Sequence, residues 1–542
     1  MRRIAVAMAA LLVLVLAGCG ADPDLEGRVA GAPTGKVAKV TALDNVFGAD
    51  DHTVHIAVGG RVDWVNKGRN DHDIVPIGSE GWGAGQDAFE PGADYSHTFD
   101  QQGVYEYFCS LHGTEDGGMK GKVVVGDVAD TPDTTTTVPE VAAKASGTTV
   151  AVPGDQPTIQ KAVDAAAPGD LILVSPGVYK EAVQVPASKP YLTIRGLDRN
   201  TTILDGEFEK ANGIMVVKAK GVAIENLTAR NYTKNGFFWT GVDGYRGSYL
   251  TAIRNGDYGV YAFESVNGRL EHSYGTGSPD AGFYIGGCQP CNASITDVVS
   301  EWNGLGYSGT NAGGNLTIAN SVFRHNRAGI VPNSGSYEPD YPQDDNTIVG
   351  NLVYDNNNPK TPAIDISITA MGNGILIAGG INNHIEKNRV QDHTLGGIVV
   401  ISYPENADWY WPATGNVVKD NVITGSGLGD LALWYDFDTK KGPGKGNCFA
   451  GNTFTSSAPK NLEAVAPCEG TGTGDMATGG FDIVQLAVND GKPASVDYRK
   501  AELPPVPAQT NMPDAATAPG HPAIDGPVEI DLDAVKVPAP PA

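Results

Sequence analysis

Apolar and polar positions alternate over short stretches between residues 36 and 127, as in Val54-His55-Ile56-Ala57-Val58 and Arg61-Val62-Asp63-Trp64-Val65. A period of two places every second side chain on one face of a strand, so these stretches predict a small β-sandwich. The pattern stops at residues 131–146, where four consecutive threonines and two prolines cannot build a core. That stretch reads as an extended linker.

Beyond the linker a longer period takes over. A glycine followed by an apolar residue recurs at Gly236-Phe237, Gly259-Val260, Gly282-Phe283, Gly306-Tyr307 and Gly329-Ile330, in steps of 23, 23, 24 and 23 residues, and again from Gly374-Ile375 to Gly397-Ile398. Asparagine followed within two positions by an apolar β-former recurs at Asn226, Asn320, Asn351, Asn388, Asn421 and Asn452. A step this short does not fit a helical-hairpin repeat but fits one coil of a parallel β-helix, with coils about 4.8 Å apart. Inward apolar residues then stack, asparagines form ladders, and glycine serves the sharp corners. Wider spacings in the second half require insertions, at 332–345, 356–363 and 403–414.

The run Thr158 to Ala166, followed by Pro168-Gly169-Asp170 and Leu171-Ile172-Leu173-Val174, reads as a short amphipathic helix turning into a first buried strand, the capped end a solenoid needs. Cap and repeat together resemble the pectin-lyase-like superfamily, and in particular the copper-handling accessory proteins of nitrous oxide reductase. That resemblance implies a right-handed parallel β-helix; a fold does not specify an activity. The expected fold class is all-β, ordered as signal segment 1–19, spacer 20–35, sandwich 36–127, linker 128–147, β-helix 148–468 and a Pro/Ala/Gly-rich tail 469–542 that is either disordered or extended along the helix surface.

With 542 residues, 70 Gly, 35 Pro and 19% charged residues, the composition favours several turn-dense β units. A formal charge of −25 leaves no basic stripe for phosphates and excludes nucleic acid as a partner. Arg2 and Arg3 precede an apolar run from Ile4 to Leu16, too short to span a bilayer comfortably but suited to an export signal. The run ends in Leu16-Ala17-Gly18-Cys19, which resembles the lipobox of bacterial lipoproteins. The resemblance implies lipidation of Cys19 and attachment to the cell membrane, facing outside the cytoplasm.

The six cysteines comprise Cys19, a lone Cys109, a close pair Cys288/Cys291 and a spaced pair Cys448/Cys468. The spaced pair reads as a disulfide, and Cys288-Gln289-Pro290-Cys291 as a local one in preference to half a zinc site or a redox dithiol. Cys109 is left without a partner in an oxidising compartment, and a metal would protect it.

Thiolate, two imidazoles and a weak thioether form a copper site able to cycle between Cu(I) and Cu(II). The chain supplies this set in order: His72, then Cys109 and His112 three apart at the end of a strand-like run from Val104, then Met119 before the run 121–125. Residues 36–127 resemble the plastocyanin/pseudoazurin family, with Trp64 on an early strand and Thr98-Phe99 to Gly103-Val104-Tyr105 leading to the cysteine strand. The resemblance implies one type 1 copper bound by His72, Cys109, His112 and Met119. Six residues separate His112 from Met119 where plastocyanins usually have four, which makes Met119 the weakest member of the set. His52, His55 and His97 are competing imidazoles; the first two read as surface residues. None of the ten histidines forms a His-x-His pair, so a trinuclear oxidase cluster is excluded.

In the solenoid, Lys234, Asp257, Asp280 and Arg327 each stand two positions before a repeat glycine and share one column. Asp257 and Asp280 are candidate catalytic carboxylates, although a solvated charge ladder explains the column as simply. Trp409, Tyr410 and Trp411, with Trp434 and Tyr435, form either a platform for sugar rings or packing for a long loop. The sequence favours a copper-binding electron-transfer protein with an unknown redox partner over a hydrolase or lyase. The alternatives are a β-helix that binds or cleaves a polysaccharide, and a copper-delivery factor.

Overall fold

The computed structural model describes residues 37–48, 53–128, 147–435, 441, 444–473 and 493–541. Cys19, the segment before it, His52 and most of the Thr/Pro linker lie outside these residues. The chain divides into two compact units: 1–137 with 336–339 and 404–410, and the remainder.

The first unit is a β-sandwich. One sheet has the order β2-β1-β4-β6, with β1 at Val37–Leu43, β2 at Val46–Phe47, β4 at Gly60–Asn66 and β6 at Asp94–Phe99. The other has the order β3-β8-β7-β5, with β3 at Thr53–Ile56, β5 at Val75–Ile77, β7 at Gly103–Thr114 and β8 at Gly117–Val125. The alternation read from the sequence is visible in β4, where Val62 and Trp64 are fully buried between more exposed neighbours. Around Trp64 the rings of Trp82, Tyr95, Phe99 and Tyr107 pack with centroids 5.5–6.4 Å away.

The second unit is the parallel β-helix. Its cap is β9, Thr149–Val152, followed by α1, Ile159–Ala165, and β10, Leu171–Val174. Thr158 caps the helix by accepting from Lys161 N, and Ile159, Ala162 and Val163 are buried. Among the described residues the coils build three parallel sheets of twelve, ten and eleven strands. The apolar residue after each repeat glycine occupies one inward column: Phe237 pairs with Val260, Val260 with Phe283, Phe283 with Tyr307, and Tyr307 with Ile330. All are fully buried.

The reason for the glycines differs from the sequence expectation. They are not the corner residues; a Cβ on Gly236, Gly259, Gly306 or Gly329 would stand 2.3–2.7 Å from the carbonyl oxygen of the next repeat glycine. Glycine is required there for close coil-to-coil approach. Corners are turned by other glycines, such as Gly350, Gly425 and Gly451 with φ of 66 to 77°, and by residues such as Asn226, Tyr249, His272, Asp297 and Asn320, with φ of 49 to 55°. Asn226 and Asn320 therefore stand at a corner, outside the buried ladder.

The ladder runs through Asn351, Asn388, Asn421 and Asn452, each side-chain oxygen accepting from the backbone N–H of the preceding rung at 2.9–3.0 Å. A second ladder joins Asn346, Asn383, Asn416 and Asn447. The second insertion runs past its expected end to include the short helix Asp365–Thr369, and the third holds the two-stranded pair Tyr403–Pro404 and Tyr410–Trp411. No helix among the described residues is long and apolar enough to cross a membrane.

Asn388 also donates to the carbonyl of Ile348 at 2.8 Å, so its removal takes a side-chain partner from both the Asn351 N–H and the Ile348 carbonyl of the neighbouring coil. Asn388→Ala is expected to lower stability by about 2 kcal/mol or more, read from the denaturant midpoint; a change under about 0.5 kcal/mol would mean the ladder carries no load.

Candidate metal centre

Strand β7 carries both Cys109 and His112, and its pairing with β8 is irregular between Phe108 and Gly113. Straight pairing would turn alternate side chains to opposite faces; the irregularity lets residues three apart serve one point. His72 arrives from the loop between β4 and β5. That loop is held by Asn66, which donates to the carbonyls of Asn70 and Phe89 at 2.9 and 3.0 Å, and by Asp44, whose Oδ1 accepts from Arg69 N and Asn70 N at 2.6 and 2.9 Å.

These elements bring three donor atoms together. His72 Nδ1 and His112 Nδ1 are 3.1 Å apart, and Cys109 Sγ is 3.7 Å from the first and 3.6 Å from the second. All three side chains are buried. Among the described residues this is the group of His, Cys, Asp or Glu side chains with metal-holding proximity. Three donors at bond lengths of about 2.0–2.3 Å and angles of about 100–120° around one centre would stand about 3–4 Å apart, so the triangle has the size of a trigonal Cys-His-His site. Its chemistry fits copper: a soft thiolate with two imidazoles.

Met119 lies on β8 beside Gly113, whose ideal Cβ position is 2.8 Å from Met119 N, and its side chain is buried. Thus Met119 shares the hairpin of Cys109 and His112. His55 lies on β3 and His97 on β6, where it stacks on Trp82 at 5.8 Å, so neither joins the triangle.

Sequence reasoning missed the group that ties the two ligand segments together. Asp73 accepts from Ser110 N at 2.6 Å and from Ser110 Oγ at 2.5 Å, while its own N–H points at Cys109 Sγ at 3.5 Å. The adjacency of Asp73 to His72 and of Ser110 to Cys109 was the available signal. Burial, helped by the Asp73 charge, pushes the Cys109 thiol well above its ordinary pKa. Cys109 is also the free cysteine among the described residues; Cys288 is joined to Cys291 and Cys448 to Cys468.

The solenoid candidates are placed differently. Lys234 Nζ is 3.5 Å from Asp257, and Asp280 accepts from Tyr258 Oη at 2.6 Å. Arg327 is fully buried and donates to the carbonyls of Pro359 and Thr361. Trp411 is buried against Tyr341, with ring centroids 5.5 Å apart, and Trp434 is fully buried on the strand Gly429–Trp434. Trp409, Tyr410 and Tyr435 are half-buried. Both tryptophan burials favour packing over a sugar platform at those two rings.

Comparison with known proteins agrees with this division. A family of copper binding proteins, plastocyanin/azurin, matches residues 37–126, and a right handed beta helix region matches 235–410. The plastocyanin of Scenedesmus fuscus is 36% identical over 81 residues, 14% of this chain and 81% of that protein. Probable pectinesterase 67 of Arabidopsis thaliana is 26% identical over 125 residues, 22% of this chain and 36% of that protein. The chain thus spans about a third of the length of this pectinesterase. The Family 28 exopolygalacturonase of Yersinia enterocolitica is 12% identical with a TM-score of 0.45, covering 68% of this chain and 80% of that one. Through residues 37–126, joined to a right-handed β-helix, this chain belongs to the plastocyanin/azurin family of copper binding proteins.

Proposed function

We propose that the protein is an extracytoplasmic one-electron carrier with a single type 1 copper held by His72, Cys109, His112 and Met119. The buried Sγ–Nδ1–Nδ1 triangle, with edges of 3.1, 3.6 and 3.7 Å, is the observation that carries this reading. Copper bound there supplies a one-electron couple between Cu(I) and Cu(II).

The chain contributes rigidity and exclusion of water. Asn66 and Asp44 fix the loop of His72, and Asp73 ties that loop to Ser110 beside the cysteine. Ligands that do not move between oxidation states favour electron transfer and retention of the metal, whereas a delivery factor needs a site that opens. Membrane attachment through lipidated Cys19 belongs to the same reading and is supported by the sequence around it.

A second reading, polysaccharide binding by the solenoid, is supported by the local similarity to a pectinesterase. Asp257 is engaged by Lys234 and Asp280 by Tyr258, which favours binding over acid–base catalysis.

Loaded with Cu(II), the protein is expected to show intense visible absorption from thiolate-to-copper charge transfer, and Cys109→Ser to lose it. A colourless wild type, or a blue Cys109→Ser, would defeat the assignment. Met119→Leu should stay blue at a raised potential, and Asp73→Ala should stay blue but bind copper about 10–100-fold more weakly, as loss of an outer-shell partner does. For the anchor, Cys19→Ala is expected to shift the protein out of the membrane fraction. Unchanged retention with normal processing would remove the lipid from the account.

A further inference from the structure

Five arginines from four coils of the solenoid direct their guanidinium groups onto the main chain of residues 493–541. Arg327 donates to the carbonyls of Pro493 and Ala494 at 2.6 and 2.9 Å, and Arg254 to those of Tyr498 and Arg499 at 3.2 and 3.0 Å. Arg199 donates to Thr510 O at 3.0 Å, Arg195 to Ala518 O and Pro519 O at 2.6 and 2.9 Å, and Arg389 to Pro538 O at 2.6 Å. The segment therefore runs from the middle coils to the capped end and back again. On the return leg, the N–H groups of His521, Ala523 and Val528 donate to Thr193 Oγ1, Gly221 O and Ser294 Oγ, each at 2.9 Å.

The chemistry of the two partners matches. The segment contains neither helix nor strand, and its prolines carry no N–H, so it offers more carbonyl acceptors than donors. Arginine offers five N–H donors and no acceptor. Arg195, Arg199 and Arg327 are almost fully buried, a costly placement that needs acceptors to offset lost hydration. Burial holds the guanidinium groups of Arg199 and Arg327 down to about 10, and the tail carbonyls are among the acceptors they find.

We propose that the outside of the solenoid is a receptor for an extended, proline-rich polypeptide, with residues 493–541 as its resident ligand in cis. Recognition is mainly of the main chain and tolerates changes in the tail's side chains. Beneath residues 518–525 the strap seals a row of charge in which Arg195 pairs with Glu225, and Arg246 with Glu225 and Glu271, at 2.7–2.8 Å. The tail is thus a separable part held by many weak bonds, and its release would expose this row to water.

The test uses the full chain with a protease recognition sequence placed within 474–492 and cut after purification. The C-terminal fragment is expected to co-elute with the solenoid on size exclusion at micromolar concentration. Arg327→Gln and Arg195→Gln are each expected to speed its loss by about tenfold or more, the effect of removing charge-assisted hydrogen bonds. Arg254→Gln, at a half-buried site, serves if a buried variant fails to fold. A synthetic peptide of residues 493–541 should compete with the nicked fragment. Separation of the fragment from nicked, folded wild type, or equal retention by the arginine variants, would overturn the proposal.

Discussion

A polar group taken out of water must find a partner, and that requirement shapes both units of this protein. In the solenoid, successive coils about 4.8 Å apart bury their turns, where a backbone N–H has no strand to bond. Ladders such as Asn351, Asn388, Asn421 and Asn452 answer it by bonding coil to coil. On the outside, buried guanidinium groups answer it with carboxylates and with tail carbonyls. In the sandwich, a buried cysteine and two buried imidazoles face one another, and a metal ion is the partner that suits all three.

That convergence gives the metal centre its functional meaning. One loop and one hairpin meet at His72, Cys109 and His112, and the loop is tied down by Asn66, Asp44 and Asp73. Asp73 has the most direct hold, because it fixes the residue after the cysteine while adjoining the histidine. Under the proposed reading, this bracing is what would keep the ligands in place in both oxidation states.

Much of this was legible in the sequence because the relevant spacings are short or strictly repeated. The step of 23 residues gave the coils, since parallel pairing stacks every repeat on its copy. The Cys-x-x-His spacing gave the metal hypothesis, because few other reasons put a lone thiol there in a chain whose start reads as an export signal. What escaped depended on three-dimensional approach. The repeat glycines were read as corners, yet their role is clearance for the next coil's carbonyl, which no single-chain pattern reveals. Asn226 and Asn320 look like ladder residues but stand one position earlier, at a positive-φ corner. Arg327 was grouped with a charged column, whereas its partners lie more than thirty residues away in the chain. The tail's course along the helix surface was legible from its composition, but not that its carbonyls would meet a set of arginines.

The central claim is that His72, Cys109 and His112 together bind one copper ion. X-ray absorption at the copper edge of the protein loaded with one equivalent tests it most directly, because scattering distinguishes sulfur from nitrogen and oxygen around the metal. One sulfur at short distance with two imidazole nitrogens is the predicted first shell. A shell of nitrogen and oxygen alone would contradict the account, since copper would then be bound somewhere other than beside Cys109.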